Sequence, residues 1–422
     1  MSQRRERRGA GDPELWLFPL RVWVIHWLLV QIPATFALRF GVPNAPSPPY
    51  GVLPAPLTGL AYWLVEPLRN WDGLWYRMVA LEGYATSGGQ YAKAAFWPLL
   101  PATMHVGAMP TGWTLDSIGY IVANAAFLGA LLVLYRLIAL DYADVTVARR
   151  ALWALALFPT ALFFSAIYTE SLFLFLVVSA LYLWKRGHPW FGGLVSILAA
   201  LCRSGGVFLA LPFLVILIER HRRNWRGYFP DIIPVAFPAI GPAIFGYILN
   251  RDQGNWRAFI DVQEQWNRYS AMPWETLHCA VASCNHLGGE PDGVSWGWWH
   301  MLQANPSWGT ITSTEWRVSI ANSDLLELTV TVLALALAVI GLFTLPRYMS
   351  AWVWPGLIIP LLQPSQVHAL MSMPRFVLVL FPLFIVLGQV TRPKIIQIPA
   401  MILSVTLLVL LTTQFALWYW VS

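Results

Sequence analysis

The sequence predicts an all-α polytopic integral membrane protein, and three observations carry that expectation. First, 57% of the 422 residues are hydrophobic and 11% are charged, against about 25% charged in a soluble domain. Second, the mean hydropathy is +0.56, and several apolar runs exceed the roughly 18 residues that mark a bilayer-spanning helix. Third, most basic residues fall in short segments between those runs, the distribution of cytoplasmic loops. A soluble enzyme and a disordered chain do not fit this composition. The net charge of +6 does not imply nucleic acid, because the charge is distributed in this loop pattern. A membrane β-barrel would show short alternating segments instead.

The elements follow in order. Residues 1–8 are basic, and the first apolar run covers 15–40. It is longer than a signal-peptide core and lacks a small-residue cleavage site, so a retained first span with a cytoplasmic N-terminus is expected. Residues 43–56 are too proline-rich for a regular helix. The segment 41–93 reads as an external loop with one interfacial helix. Trp71, Trp75 and Met78 share a face of that helix, expected toward lipid, and Gly83 is placed to end it.

Further spans are expected near 94–110, 117–139, 151–166, 168–184, 191–218, 230–249, 325–345, 351–363, 375–391 and 396–420. With the first this gives about eleven in a single transmembrane domain over 1–422. The cluster Arg220, Arg222, Arg223 and Arg226, and the pair Arg392 and Lys394, should be cytoplasmic. The loops 250–324 and 363–374 are then external. Two points stay open: 94–110 spans or re-enters, and 151–184 is two spans or one broken helix. Arg149 and Arg150 fall outside in this count, against the charge rule. Loop 250–324 carries Trp256, Trp266, Trp274, Trp296, Trp298, Trp299, Trp308 and Trp316. Such rings suit either the membrane interface or a sugar- or lipid-binding groove.

Three cysteines occur. Cys202 lies in an apolar run and reads as packing. Cys279 and Cys284 share a polar loop, where a short disulfide is preferred over free thiols; their spacing matches no standard zinc pattern, so no metal is expected. No P-loop, dinucleotide fingerprint, zinc-protease motif or nucleophile elbow is present, so no nucleotide-binding domain is expected. An activated substrate would arrive through the lipid.

Asp72 is the leading candidate for chemistry. A carboxylate flanked by Trp71 and Trp75 at a membrane surface is partly desolvated, which favours a general base. Its structural alternatives are a helix cap or a salt bridge to Arg69 or Arg77. Arg375 opens an apolar run after Pro374, with His368 on the same loop. Arg375 suits a lipid phosphate by bidentate contact, or is an ordinary snorkelling arginine. Glu170 and Arg203 are ionisable groups in or beside spans, where such groups are costly and often functional. Their pairing is not expected, since Glu170 falls near a cytoplasmic turn in this count.

Several of these segments together resemble the second mannosyltransferase of GPI-anchor assembly and its bacterial relatives. The first-loop signature is similar in Trp71-Asp72-Gly73-x-Trp75-Tyr76 through Gly83-Tyr84. Phe96-Trp97-Pro98-Leu99-Leu100-Pro101 follows, then Phe158-Pro159 and the block Phe163-Phe164-Ser165-Ala166-Ile167-Tyr168-Thr169-Glu170-Ser171. Arg203-Ser204-Gly205-Gly206 and Pro374-Arg375-Phe376 complete the ordered set, spanning about residues 70 to 390. Relatives often show Ser-Asn-Gly where this chain has Ser204-Gly205-Gly206.

The resemblance implies a bundle of the glycosyltransferase-C type, with its active site on the external or luminal side and a polyprenyl-phosphate sugar as co-substrate. No further cofactor is expected. Asp72 would be the catalytic carboxylate, Arg375 with His368 would hold the donor phosphate, and Trp71, Trp75, Arg77, Glu170 and Arg203 would support them. The expected reaction moves a sugar, mannose by resemblance, to a glycan or glycolipid acceptor with inversion. The membrane would be the cell membrane in a bacterium or the endoplasmic reticulum in a eukaryote. The rival readings are a lipid-linked-sugar flippase or transporter and a non-catalytic scaffold subunit.

Overall fold

The computed structural model describes residues 13–44, 53–85, 91–221, 228–282 and 323–421. Among them the regular structure is helical, with one isolated antiparallel bridge between Arg268 and Ser365. Among the described residues six helices are long and apolar enough to cross a membrane: Glu14–Phe40, Leu115–Asp141, Ser204–His221, Phe229–Gln253, Asp324–Thr344 and Lys394–Ala416. The chain is a multi-pass integral membrane protein.

The helices that frame the site are α1 (Glu14–Phe40), α2 (Asp72–Glu82), α3 (Leu99–Thr111), α4 (Leu115–Asp141), α5 (Val145–Ala156), α6 (Glu170–Lys185), α7 (Pro189–Cys202), α8 (Ala210–His221), α9 (Ile240–Gln253), α10 (Ser323–Thr344), α11 (Arg347–Leu361), α12 (Met373–Leu378), α13 (Pro382–Val390) and α14 (Lys394–Ala416). Several expected segments divide differently from the hydropathy reading. Segment 94–110 holds the end of a 3-10 turn, Tyr91–Ala95, and then the 13-residue α3, about 20 Å long, and α3 packs on α2 and α4. Segment 151–184 is broken: α5 has 12 residues and α6 has 16. Segment 191–218 is two elements, because α7 stops at Cys202 and the chain turns through Ser204–Leu209 into α8.

The break between α5 and α6 has a physical reason. Pro159 cannot continue a helical hydrogen-bond ladder, and irregular backbone at membrane depth survives only when protein satisfies its polar groups. That is the case here. The Ala156 carbonyl lies 2.7 Å from His26 Nδ1, the Phe164 carbonyl accepts from Ser171 Oγ at 2.6 Å, and Ile167 N–H donates to the Leu68 carbonyl at 3.0 Å. Residues 161–171 are all buried.

Ion pairs identify the two ends of the bundle. At one end, Arg149 bonds Glu14 at 2.7 Å, Lys185 bonds Asp141 at 2.6 Å and Tyr142 donates to the Thr344 carbonyl at 3.2 Å. Asp144 caps α5, and hydrogen bonds from Thr146 hold its carboxyl below the usual range, with Arg150 and Arg392 adding to the effect. Arg149 and Arg150 therefore lie with the N-terminal end of α1, which corrects their expected position outside. Glu170 lies at the other end of α6 from Lys185, away from this cluster, so its expected place near the cytoplasmic turn is also corrected.

The loop helix is corrected as well. Gly83 ends α2 as expected, at φ +67° with its N–H on the Val79 carbonyl at 2.9 Å. The aromatic face turns into protein rather than lipid. Trp75 is buried and stacks on Phe96 at 5.4 Å, and Trp71 packs on Trp420 at 5.1 Å. The pairing of Cys279 with Cys284 lies outside the described residues, as do Trp296, Trp298, Trp299, Trp308 and Trp316.

The turn after Arg203 depends on one glycine. A Cβ on Gly206 would lie 2.4 Å from the Ala200 backbone nitrogen, whereas one on Gly205 meets only Phe173 at 3.7 Å. Gly206→Ala should destabilise the protein by about 1–3 kcal/mol, the usual cost of overpacking. Gly205→Ala should be tolerated. Thermal unfolding of the two variants in detergent checks this; equal unfolding temperatures would contradict it.

Candidate active site

Two short helices deliver the main charges. Asp72 opens α2 after Trp71, whose φ is +57°, and Arg375 lies in α12 after Ser372, whose φ is +68°. Such conformations are strained for non-glycine residues and persist only when the surroundings enforce them. Both are enforced here. Asn70 Nδ2 donates to the Phe415 and Ala416 carbonyls at 3.0 and 3.2 Å, and Asp72 N–H donates to Tyr168 Oη at 3.1 Å. Ser372 N–H donates to the buried Glu327 at 3.0 Å.

The two helices meet through a guanidinium. Arg375 Nη1 donates to Asp72 Oδ2 at 2.7 Å, and its Nε donates to Glu170 Oε1 at 2.9 Å. Arg203 Nη1 donates to the same Glu170 oxygen at 2.8 Å. The four groups form a chain, Asp72–Arg375–Glu170–Arg203, with no formal net charge. Glu170 is fully buried and Arg375 is 6% exposed. The Arg375 guanidinium also lies over the Tyr168 ring at 4.6 Å, a favourable cation–π position. Glu170 and Arg203 thus pair after all, because the break before α6 brings Glu170 to this end.

The other sequence candidates fall into place around the chain. Arg69 and Arg77 pair with Asp116 at 3.0 and 3.4 Å, not with Asp72. His368 is not brought to the site: its Nδ1 lies 2.6 Å from Asp324, and it lines neither of the cavities described below. Its expected phosphate contact therefore lacks geometric support. Among the described residues no group of three or more His, Cys, Asp or Glu side chains is placed to share a metal ion.

Asp72, Arg203 and Arg375 line a cavity of about 190 Å³, walled also by Tyr76, Phe96, Trp97, Trp266, Arg268, Ser372 and Trp420. A second cavity of about 380 Å³ adjoins it, lined by apolar side chains that include Phe173, Val207, Phe208, Trp352, Ile359 and Leu380. The two share Trp97, Arg203, Ser204, Gln263, Arg268 and Phe376. A small polar chamber with a carboxylate thus opens directly onto an apolar groove. Ligand pockets are commonly built so, mostly apolar with a few convergent polar groups. Among the described tryptophans of its loop, Trp266 faces a cavity while Trp256 and Trp274 are exposed.

Sequence reasoning missed Arg268 and Trp420, and marked Tyr76 only as part of the first-loop signature. Arg268 sits two residues after Trp266 in a loop with no periodic pattern. Burial lowers the pKa of its guanidinium; Glu327 acts against that and Arg375 with it. Glu170→Gln would leave Arg375 with Asp72 alone and Arg203 without its carboxylate partner. Breaking a buried ionic network typically costs about 3–5 kcal/mol, so this variant should unfold several degrees lower in a thermal melt. An unshifted melt would show that the network contributes little to stability.

Comparison with known proteins bears on these residues. The family described as mannosyltransferase (PIG-V) matches residues 17–221. The GPI alpha-1,6-mannosyltransferase 2 of Mus musculus is 32% identical over 161 residues, covering 36% of this chain and 32% of the relative. That of Rattus norvegicus is 30% identical over 173 residues, covering 39% and 34%. That of Cricetulus griseus is 28% identical over 199 residues, covering 45% and 38%. The chain thus aligns with about a third of the length of each relative. The family-matched stretch includes Asp72, Glu170 and Arg203, and through it the chain resembles the GPI second mannosyltransferase family.

Proposed function

We propose that this protein is a membrane mannosyltransferase that takes its sugar from a polyprenyl-phosphate donor. The single observation that carries this reading is the junction of a carboxylate-bearing polar chamber with an apolar groove. A lipid-linked sugar has that same division. Its isoprenoid chain suits the groove along Phe173 and Trp352, and its sugar suits the chamber beside Asp72. The resemblance to the GPI mannosyltransferases supports mannose as the sugar.

In this reading the acceptor hydroxyl attacks the anomeric carbon as the bond from that carbon to the phosphate oxygen breaks. The hydroxyl proton passes to Asp72, and the bonding pair leaves with the polyprenyl phosphate. The developing oxocarbenium character is that of other glycosyl transfers. Attack from the face opposite the phosphate inverts the anomeric centre. Arg375 fixes the Asp72 carboxylate, and Glu170 holds Arg375 from its other side. The guanidiniums of the chamber wall receive the charge that grows on the leaving phosphate. The basic end of the bundle would face the cytoplasm, which leaves the chamber at the external or luminal face.

Purified protein in nanodiscs, given radiolabelled polyprenyl-phosphate mannose and candidate glycan or glycolipid acceptors, should transfer label. Asp72→Asn should lower the rate by about 10²–10⁴-fold, the usual contribution of a positioned base, measured per folded protein because the change also removes one of the two carboxylates that hold Arg375. Wild-type turnover by that variant would remove Asp72 from the mechanism. Movement of the donor across the bilayer without transfer would favour a flippase instead.

A further inference from the structure

The charges on the cavity walls do not balance. The chain of Asp72, Arg375, Glu170 and Arg203 is neutral as a unit. Arg268 adds a fifth charge to both walls; Glu327 acts on it from a distance, but among the described residues no carboxylate forms an ion pair with it. Its position is fixed by neutral acceptors. Nη1 donates to the Gln363 carbonyl at 2.8 Å, and Nη2 lies 3.5 Å from the Met371 carbonyl. Carbonyls orient a guanidinium without cancelling its charge, and these two use only part of its donor set.

The placement of this surplus charge is specific. Arg268 belongs to the small group of residues common to the polar chamber and the apolar groove, so it stands where the two meet. In a lipid-linked sugar the phosphate occupies the same intermediate position, between isoprenoid and sugar. We infer that Arg268 is the anion-binding determinant of the donor site, holding the lipid phosphate at the junction of chamber and groove. This rests on the lipid-linked donor reading above. It assigns the phosphate to a residue outside the family-matched stretch 17–221, in place of His368.

The same geometry gives Arg268 a second consequence. Its two carbonyl partners lie in the segment 363–371, which leads into Ser372 and the helix that carries Arg375. The Arg268–Ser365 bridge and the bond from Tyr269 N–H to the Pro364 carbonyl at 3.0 Å hold the two loops together. A phosphate seated on Arg268 is thereby registered against the guanidinium that orients Asp72. Donor binding and base positioning share one rigid connection.

The test uses the full chain in nanodiscs, with tritiated polyprenyl phosphate and unphosphorylated polyprenol as binding probes, alongside the transfer assay. Arg268→Gln should weaken polyprenyl phosphate binding by about tenfold or more, as for loss of a charge-assisted contact. It should leave polyprenol binding unchanged, and raise the donor KM while sparing the acceptor KM. Arg268→Lys should recover much of the affinity, because it keeps the charge. Unaltered polyprenyl phosphate binding in Arg268→Gln beside intact wild-type transfer overturns the assignment and leaves the transferase reading in place. An equal loss for both probes also overturns it, since the residue would then only shape the groove. If phosphate binding depends on Arg268 but the wild-type chain transfers no sugar, the assignment holds and the transferase reading fails. If the wild-type chain binds no polyprenyl phosphate, both fail.

Discussion

The architecture around the cavity depends on one guanidinium held between two carboxylates. Arg375 contacts Asp72 at 2.7 Å and Glu170 at 2.9 Å, and nearly all of that contact is out of water. A buried ion is tolerated only when partners replace its hydration. Arg375 has them in two carboxylates and the face of Tyr168, and Glu170 has a second guanidinium in Arg203. Each charge is therefore a condition for the others, and three distant parts of the chain are fixed to one another: residue 72, residues 170 to 203, and residue 375. The strained backbone at Trp71 and Ser372 fits the same picture. Both short helices start in costly conformations because the network needs their side chains at this point.

A catalytic carboxylate inside such a network meets opposing requirements. Arg375 must hold the Asp72 carboxylate in place, yet that carboxylate must stay open to an approaching hydroxyl. Glu170 divides the influence of Arg375 between two carboxylates. The chamber walls of Phe96, Trp97, Trp266 and Trp420 limit solvent, which strengthens every remaining electrostatic contact. This arrangement favours stabilising charge that develops during reaction over charge present beforehand. The apolar groove then supplies binding affinity far from the bond that changes.

Much of the site was legible in the sequence, and the limits of that reading have physical causes. Asp72, Glu170, Arg203 and Arg375 were each marked by being charged in apolar or aromatic surroundings, where charge is expensive. Their mutual pairing was not legible, because hydropathy measures a segment's polarity and not where the chain turns back. Residues 151–184 read equally as two spans or one broken helix, because hydropathy does not show that buried partners such as His26 and Leu68 satisfy an irregular turn near Pro159. The same blindness sent Trp71 and Trp75 toward lipid: an indole suits a membrane interface and a protein core equally well. Arg268 gave no signal, since its role comes from facing two cavities built by helices distant in sequence. His368 gave a misleading one, because sharing a loop with Arg375 does not put its ring on the cavity wall.

The most direct measurement is an electron cryo-microscopy structure of the protein with a bound polyprenyl-phosphate mannose. The account predicts the sugar in the small chamber against the Asp72 carboxylate, with the anomeric carbon open to an approaching hydroxyl. It predicts the phosphate at the mouth between Arg203 and Arg268, and the isoprenoid chain along Phe173 and Trp352. Density for the headgroup elsewhere on the protein, with the Asp72–Arg375 pair closed to it, would contradict the account.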